Sequence, residues 1–541
     1  MPVVRRIVLV LSMLLAFHAV VKADDDLPVV EIIGDRTIIY PQRMELSGEE
    51  TLLDILEMFP DLLVAGFDDL LNGENHFDSW QLRMDNVAMS GDMRLLLTQI
   101  KACLISKIQI CDNAGVAKGR TGDGRVIDVN LLHAEKGTHG FASMQGGTDK
   151  LLAPSANIRY GSDKTDVWTT MTYVRNDRLG LVDNAESFHF EMINRFGDRD
   201  RLLTYVTQST SVSDAGEEDC SQLGHKTSVM ARLRYFHSFN DKGTELLTLL
   251  SWQYKNNPTE MLQADSQSYH RVASLTNMPI WLMELNTPLF TKNLSMMLGY
   301  EGNLDNTRYG IDQSSTRCVM NNDFYLQFNY VKGPVRLTLG DRVMFYHYRQ
   351  ENYDGNWSKN TIRNHFQTSV VVTPCMHHQL QVAYYRKFRN PPAMNVSPNL
   401  EETTIHQCRV SYGYSDRGFS AKLGGNIYHS STDESYWTID GAVYKNFGML
   451  SLTGGFNVYS YQSPVVERTL FADIRLSTML QLPANWQVTT KLIWFSNREE
   501  ALYGSLQINK QFGSHWDVQL AWHDMFYDKR SAGLLGIMYR F

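Results

Sequence analysis

From Thr138 to the last residue the chain alternates apolar and polar side chains in segments of 8 to 14 residues, separated by short polar turns. Trp516, Val518, Leu520 and Trp522 alternate with Asp517, Gln519, Ala521 and His523. Trp486, Val488, Leu492 and Trp494 share one parity against Gln487, Thr489 and Lys491, as Phe324, Leu326, Phe328 and Tyr330 do against Gln327 and Asn329. At the end of the chain Gly533, Leu535, Ile537, Tyr539 and Phe541 oppose Arg540. Successive side chains of a strand point to opposite faces, so each segment has one apolar and one wet face. A string of soluble sandwiches would need linkers, yet the pattern runs without one over some 400 residues. The 60 aromatic residues gather near segment ends, as interfacial girdles do, and the chain stops inside a strand on Phe541. One arrangement accounts for all of this: a transmembrane barrel with its apolar face in lipid and its polar face in the lumen.

Residues 138 to 541 number 404, and the segments number between 20 and 24. With 22 strands, about 18 residues remain for each strand and its connection, against the ~9–11 that a crossing takes. The connections are therefore short. The longer ones are expected at Ser213–Gly224, Asp305–Asn322, Gln350–Asn360 and Asn390–Glu402.

The beginning of the chain reads as an export signal. Arg5 and Arg6 precede the apolar run Ile7–Val21, and Val21-Lys22-Ala23 offers a cleavage site after Ala23. The run is too short to span a bilayer and Asp24, Asp25 and Asp26 follow at once, so an anchor is disfavoured. The mature protein is expected outside the cytoplasm. Its net charge of −8, with acids and bases intermixed, argues against nucleic acid as a partner. The six cysteines form no CxxC pair and no zinc spacing, so neither a structural metal nor a disulfide framework is expected.

Residues 27 to 133 have a different, α+β character. Val29–Ile39, Ile105–Cys111 and Val126–Leu132 are strand-like, and Met93–Leu104 suggests a short helix. Gly48–Phe59 predicts another helix, with Leu52, Leu53, Leu56 and Phe59 on one face, Ser47 and Glu50 as capping box and Pro60 as terminator. A barrel of some 22 strands has a lumen wide enough to leak, and this small domain is the natural stopper. The expected organisation is a signal peptide over 1–23, a plug over 24–137 and a barrel over 138–541. The fold class is mainly β: a transmembrane antiparallel β-barrel of about 22 strands with a small α+β plug inside it.

The plug residues carry a family likeness. GDRTIIY (34–40), TLLDILEMFP (51–60), LRMDNV (82–87), IKACLISKIQI (100–110) and GVAKGRTGDGRVIDV (115–129) occur in that order. The series resembles the plug of TonB-dependent receptors, and of the outer-membrane barrel family common in Bacteroidetes. In the barrel, YRKFRNPP (385–392) through NVSPNL (395–400) is similar to an abbreviated form of that family's Arg- and Pro-containing loop region, and LGDR (339–342) to its glycine–arginine strand. The resemblance implies an integral protein of the cell outer membrane, in contact with its lipid, that binds an unidentified external nutrient ligand and imports it. It implies TonB as a partner, contacted through an extended N-terminal segment by strand addition. Leu27, Pro28, Val29, Val30, Glu31, Ile32 and Ile33 are the candidates, although they also read as the plug's first strand. The alternative is a non-transporting plugged barrel that scaffolds a surface lipoprotein or another outer-membrane component.

Other constellations carry less. Gly119, Gly122 and Gly124 lack the Lys-Ser/Thr and the strand–loop–helix setting of a phosphate loop and read as a tight plug turn. His377 and His378 are neighbours on a strand, so they point apart and form a poor metal pair; a periplasmic turn is expected there. Asp68, Asp69, Asp85, Asp92, Asp112, Asp123 and Asp128 make the plug acidic, and lumen-facing Arg342, Lys491 and Arg540 are expected to pair with such acids. No nucleophile–base set stands out, so no enzymatic activity and no cofactor are expected.

Overall fold

The computed structural model describes residues 29–33, 36–44, 46, 50–59, 80–84, 87–88, 97, 100–111 and 125–132 of the N-terminal part. It describes 136–541 apart from 149, 179–180, 216–223, 242, 263–268, 310–314, 353–354, 390–402, 417, 433, 464–465, 497–501 and 524–531. The export signal of residues 1–23, Leu27, Pro28, Gly119, Gly122 and Gly124 lie outside the described residues.

The N-terminal part builds one mixed sheet. Strands β1 (Val30–Ile33), β2 (Arg36–Ile39), β3 (Trp80–Met84), β4 (Val87–Ala88), β5 (Ile105–Cys111) and β6 (Arg125–Leu131) order as β1-β2-β5-β6-β3-β4. β-Branched Ile and Val dominate β5 and β6, whose buried positions Ile105, Ile108, Ile110, Ile127 and Val129 form the centre of the plug. Against them packs helix α1 (Leu52–Met58), through Leu52, Ile55 and Leu56. The same apolar cluster continues into inward-facing Leu203, Tyr205, Met230, Tyr444 and Met479 of the barrel wall. The plug therefore sits inside the barrel and shares part of its core with it.

Two local expectations need correction. Helix α1 is capped by Thr51, whose side chain accepts from the Asp54 amide while Asp54 accepts from the Thr51 amide. The box lies one turn later than Ser47 and Glu50 suggested, because Thr51-x-x-Asp54 supplies the same chemistry. Of the expected helix Met93–Leu104, Leu97 is helical, but Lys101 forms a β-bridge to Thr51 and Ala102–Leu104 is a 3-10 turn.

The barrel runs from β7 (Gly137–Gly147) to β28 (Ala532–Arg540), and among the described residues its 22 antiparallel strands close through pairing of β28 with β7. Each strand pairs with its chain neighbours, so short turns suffice. Trp516, Leu520, Trp522, Leu535, Ile537 and Tyr539 face outward and exposed, whereas Asp517, Gln519 and Met538 are buried on the inside. A charge facing mid-bilayer lipid costs about 2–4 kcal/mol, which is the physical reason for the alternation.

The wall is uneven in height. β13 (Glu245–Leu262), β14 (Tyr269–Pro288), β15 (Leu294–Tyr309), β16 (Ser315–Lys332), β17 (Val335–Asn352) and β18 (Gly355–Cys375) run 16 to 21 residues. On the opposite side β25 (Trp486–Phe495), β26 (Leu502–Phe512), β27 (Trp516–His523) and β28 run only 8 to 11. Much of two expected loops is consequently strand: Asp305–Asn322 and Gln350–Asn360 belong largely to β15–β18, paired in register beyond the length that lipid requires. Polar alternation in those stretches, which resembled loop composition, is cross-strand pairing in water.

Candidate functional site: the plug seam and the inner wall

Besides the shared apolar cluster, two of the plug's contacts with the wall among the described residues are made by hydrogen bonds and ion pairs. Edge strand β1 lies against β20 (Thr403–Asp416) and β21 (Phe419–Ser430), and the Ser420 hydroxyl donates to the Val30 carbonyl at 2.6 Å. Ile32 fills the space above Gly413, where any Cβ would stand 2.6 Å from the Ile32 Cγ2. Beside this contact the Phe59 ring packs on Tyr444, with centroids 6.3 Å apart.

The second fastening is polar and involves the start of α1. Glu50 is fully buried and its Oε1 accepts from Asn509 Nδ2 at 2.6 Å and from Gln507 Nε2 at 3.4 Å, both on β26. Gln487 of β25 takes the other Asn509 donor at 3.1 Å. One turn further on, Asp54 faces Lys491 Nζ at 3.6 Å. Burial pushes the Asp54 carboxyl up, but the Lys491 ammonium and the hydrogen bonds from Thr51 outweigh it and hold the pKa below the ordinary carboxylate value. Glu50, assigned to a helix cap by sequence, is thus a plug-to-wall contact.

Of the candidate TonB-contact residues, Val29 precedes β1, and Val30, Glu31, Ile32 and Ile33 form it, paired in a hairpin with β2. Val29, Val30 and Ile32 are buried, and the Glu31 carboxylate accepts the Tyr40 hydroxyl at 3.0 Å and lies 3.7 Å from Arg43. Asp128 is buried in β6, while Asp68, Asp69, Asp85, Asp92, Asp112 and Asp123 lie outside the described residues. His377 sits in the turn between β18 and β19 (His378–Arg389), at the barrel end that also carries Gly137 and Phe541. His377 Nδ1 meets the Ser415 carbonyl and His378 Nδ1 the Tyr412 hydroxyl, so the two rings serve different partners.

The lumen cations behave differently from one another. Lys491 meets a plug acid, as anticipated in kind, though the acid is Asp54. Arg342 pairs with Asp323 at 2.6 Å and Glu301 at 2.5 Å, and Arg540 with Asp517 at 2.6 Å, partners that lie in the wall. Cross-strand neighbours one or two strands away reach these two arginines at no cost in chain entropy beyond closing the barrel.

Farther along β17 toward the loop end the inner wall turns aromatic and cationic. Tyr346 and Tyr348 stack at 5.7 Å, and the Arg363 guanidinium lies 4.6 Å from the Tyr346 centroid. Lys387 lies 5.5 Å from the Tyr385 centroid. The sequence motif YRKFRNPP includes Tyr385 and Lys387, but Tyr346, Tyr348 and Arg363 were missed; the available signal was that Tyr346 and Tyr348 share Arg342's parity, opposite Phe345 and His347. All five side chains are buried, so they form a packed aromatic and cationic layer of the inner wall.

Comparison with known proteins finds neither a matching family model nor a curated relative. Solved structures do match in fold. The alcaligin outer-membrane receptor FauA of Bordetella pertussis superposes with a TM-score of 0.75 at 11% identity, covering 94% of this chain and 95% of that one. The ferric-catecholate import receptor Fiu of E. coli K12 gives 0.73 at 10%, over 95% and 97% of the two chains. The FrpB iron transporter of Neisseria meningitidis gives 0.71 at 10%, over 91% and 99%. The chain has the fold of the TonB-dependent receptors, a plug within a 22-stranded barrel.

Proposed function

We propose that this chain is an integral outer-membrane receptor that binds an external ligand and imports it through rearrangement of its plug, with TonB supplying the pull. The observation that carries this reading is the plug's attachment. Beside the apolar cluster that it shares with the wall, the plug sheet is tied there through one edge strand and a small polar cluster, Glu50 and Asp54 with Asn509, Gln507 and Lys491. Polar contacts can be exchanged for water at modest cost, unlike a fully apolar interface.

In this reading residues 27–33 are the TonB-contact segment. Because β1 is an edge strand, tension on Leu27 and Pro28 would peel it from β2 and from Ser420 without first breaking the centre of the sheet. Residues 1–23 act as a cleaved signal peptide, 24–137 as the plug and 138–541 as the barrel. The likeness of the plug segments to the Bacteroidetes barrel family extends the proposal to that group, in which a surface lipoprotein would be a fitting partner. Arg363 and Lys387, buried beside Tyr346, Tyr348 and Tyr385, would favour an anionic, ring-bearing ligand once plug rearrangement uncovers them. Ferric chelates, of the kind named for the structural neighbours, are the first to offer.

The rival reading, a non-transporting scaffold, draws on the two-residue connections 179–180, 353–354 and 464–465, which leave little loop to close over a ligand. Binding of the mature protein to the periplasmic domain of its own organism's TonB, with and without residues 27–33, separates them. Micromolar binding lost on deletion supports energised import. Absence of binding in both forms removes it and leaves the scaffold.

A further inference from the structure

On the outward face of the barrel, beside outward-facing Asp341 and Asn364, a row on β19–β21 departs from the apolar pattern. Arg386 of β19 stands directly across from His406 of β20, and His406 directly across from His429 of β21. The alternate residues Tyr385, Arg409 and Ser430 on the same strands are buried on the inside, so the three row residues point out. Toward the turn end, the same outward faces present Val382, Val410 and Ile427, which are 51%, 50% and 67% exposed. These are lipid-facing positions.

The level of the row follows from strand length. Arg386 is the ninth residue of β19, His429 the eleventh of β21, and His406 the eleventh from the end of β20, all counted from the turn end. A strand crosses the hydrocarbon in ~9–11 residues, so the row stands at its outer boundary. At a like count from the turn end the flanking strands present Phe345 on β17, Phe366 on β18 and Trp437 on β22 (Ser435–Asn446), while the residues in register with the row are Phe366, Asp341 and Ser435. An aromatic girdle is thus interrupted over three adjacent strands by an arginine and two histidines.

The row is also oriented. Arg386 Nη2 donates to Asn364 Oδ1 at 2.6 Å, and Asn364 in turn donates to Asp341, which fixes the guanidinium plane. The Tyr384 hydroxyl and His406 Nδ1 lie 2.8 Å apart, which leaves Nε2 as the other hydrogen-bonding atom of that ring. A single arginine at this depth costs about 0–1 kcal/mol and needs no special reason. Three aligned donors, two of them held by neighbours, are more than tolerance of polarity requires. A guanidinium presents a flat fork that matches phosphate oxygens, and imidazole N–H groups add donors beside it.

We propose that Arg386, His406 and His429 form a seat for the phosphate group of an outer-leaflet lipid. The seat requires only that the barrel stand in lipid, and is independent of whether the protein imports anything. It fixes one lipid on the β19–β21 face of the barrel.

Native mass spectrometry of the full chain, released from micelles doped with dioleoyl phosphatidic acid or dioleoyl phosphatidylcholine, tests it. The expected result is preferential retention of one phosphatidic acid per barrel. The R386Q/H406Q/H429Q variant should reduce that retention about tenfold or more, the worth of losing a charge-assisted hydrogen bond. Arg349→Gln, an outward exposed arginine paired with Glu351, should leave it unchanged. Heat-modifiable gel mobility reports that each barrel is folded, and if the triple variant fails it, Arg386→Gln and His429→Gln singly carry the comparison. Equal retention of the two lipids by the wild type, or wild-type retention in a folded variant, overturns the proposal. Displacement of phosphatidic acid by millimolar inorganic phosphate would make this a free-anion site and overturn it equally; resistance to phosphate supports the lipid.

Discussion

Lys491, on the inner wall, and Asp54, at the first turn of the plug helix, meet at 3.6 Å across the seam between the two units, and both are largely buried. The Lys491 ammonium supplies a counter-charge to this buried carboxylate. Lys491→Met is expected to destabilise plug docking by about 3 kcal/mol, since it leaves a buried carboxylate without its counter-charge. The denaturant midpoint for protease access to the plug reads this, with the barrel transition as internal reference.

Acid should act on the same contact. The folded pKa of Asp54 lies below its unfolded value, so the stabilisation is complete above about pH 4 and is lost as pH falls through the folded value. Plug release in an acid titration should therefore begin below about pH 4 in the wild type. In Thr51→Ala, which removes a donor to Asp54, it should begin at higher pH. Unchanged acid onset in that variant would count against the assignment.

Gly413 leaves no room for a side chain beneath Ile32 of β1. Gly413→Val should displace Ile32 and loosen the β1–β2 hairpin, at a cost of about 1–3 kcal/mol typical of overpacking. Faster proteolysis near residues 27–33, with unaltered barrel mobility on gels, is the expected outcome.

Arg342 is fully buried between Asp323 and Glu301, with the Tyr325 ring 5.2 Å from its guanidinium carbon and the Tyr325 hydroxyl bonded to Glu284 at 2.6 Å. Arg342→Ala leaves two carboxylates facing each other and should cost about 3–5 kcal/mol of barrel stability. The temperature at which the folded band disappears on a gel should fall, with no selective release of the plug.

For the inner wall the expectation concerns affinity. Arg363→Ala should weaken binding of an anionic ferric catecholate by about tenfold, the worth of a charge-assisted contact. Isothermal titration of the folded variant against the wild type provides the measurement. Equal affinities would move the ligand away from the Tyr346–Arg363 surface.

The sequence by itself determined the architecture. Period-two alternation, as in Trp516–His523 or Gly533–Phe541, is a local property, and a strand with one apolar face leaves few solutions in a membrane other than a closed barrel. The β5 and β6 strands of the plug were legible for the same reason, from runs such as Ile105–Cys111. Helix α1 was legible too, but its cap was not, since Ser47/Glu50 and Thr51/Asp54 are both sound boxes and only the wall decides which acid it needs. Glu50 and Asn509 are 459 positions apart, and nothing local to either marks the other. The partners of Arg342, the stacking of Tyr346 with Arg363, and the row Arg386, His406 and His429 depend equally on inter-strand register. Register follows from turn lengths and from closure of the whole ring, so a one-residue slip anywhere would pair different side chains. The alternation of each strand belongs to its own residues; which residues face each other belongs to the closed barrel alone.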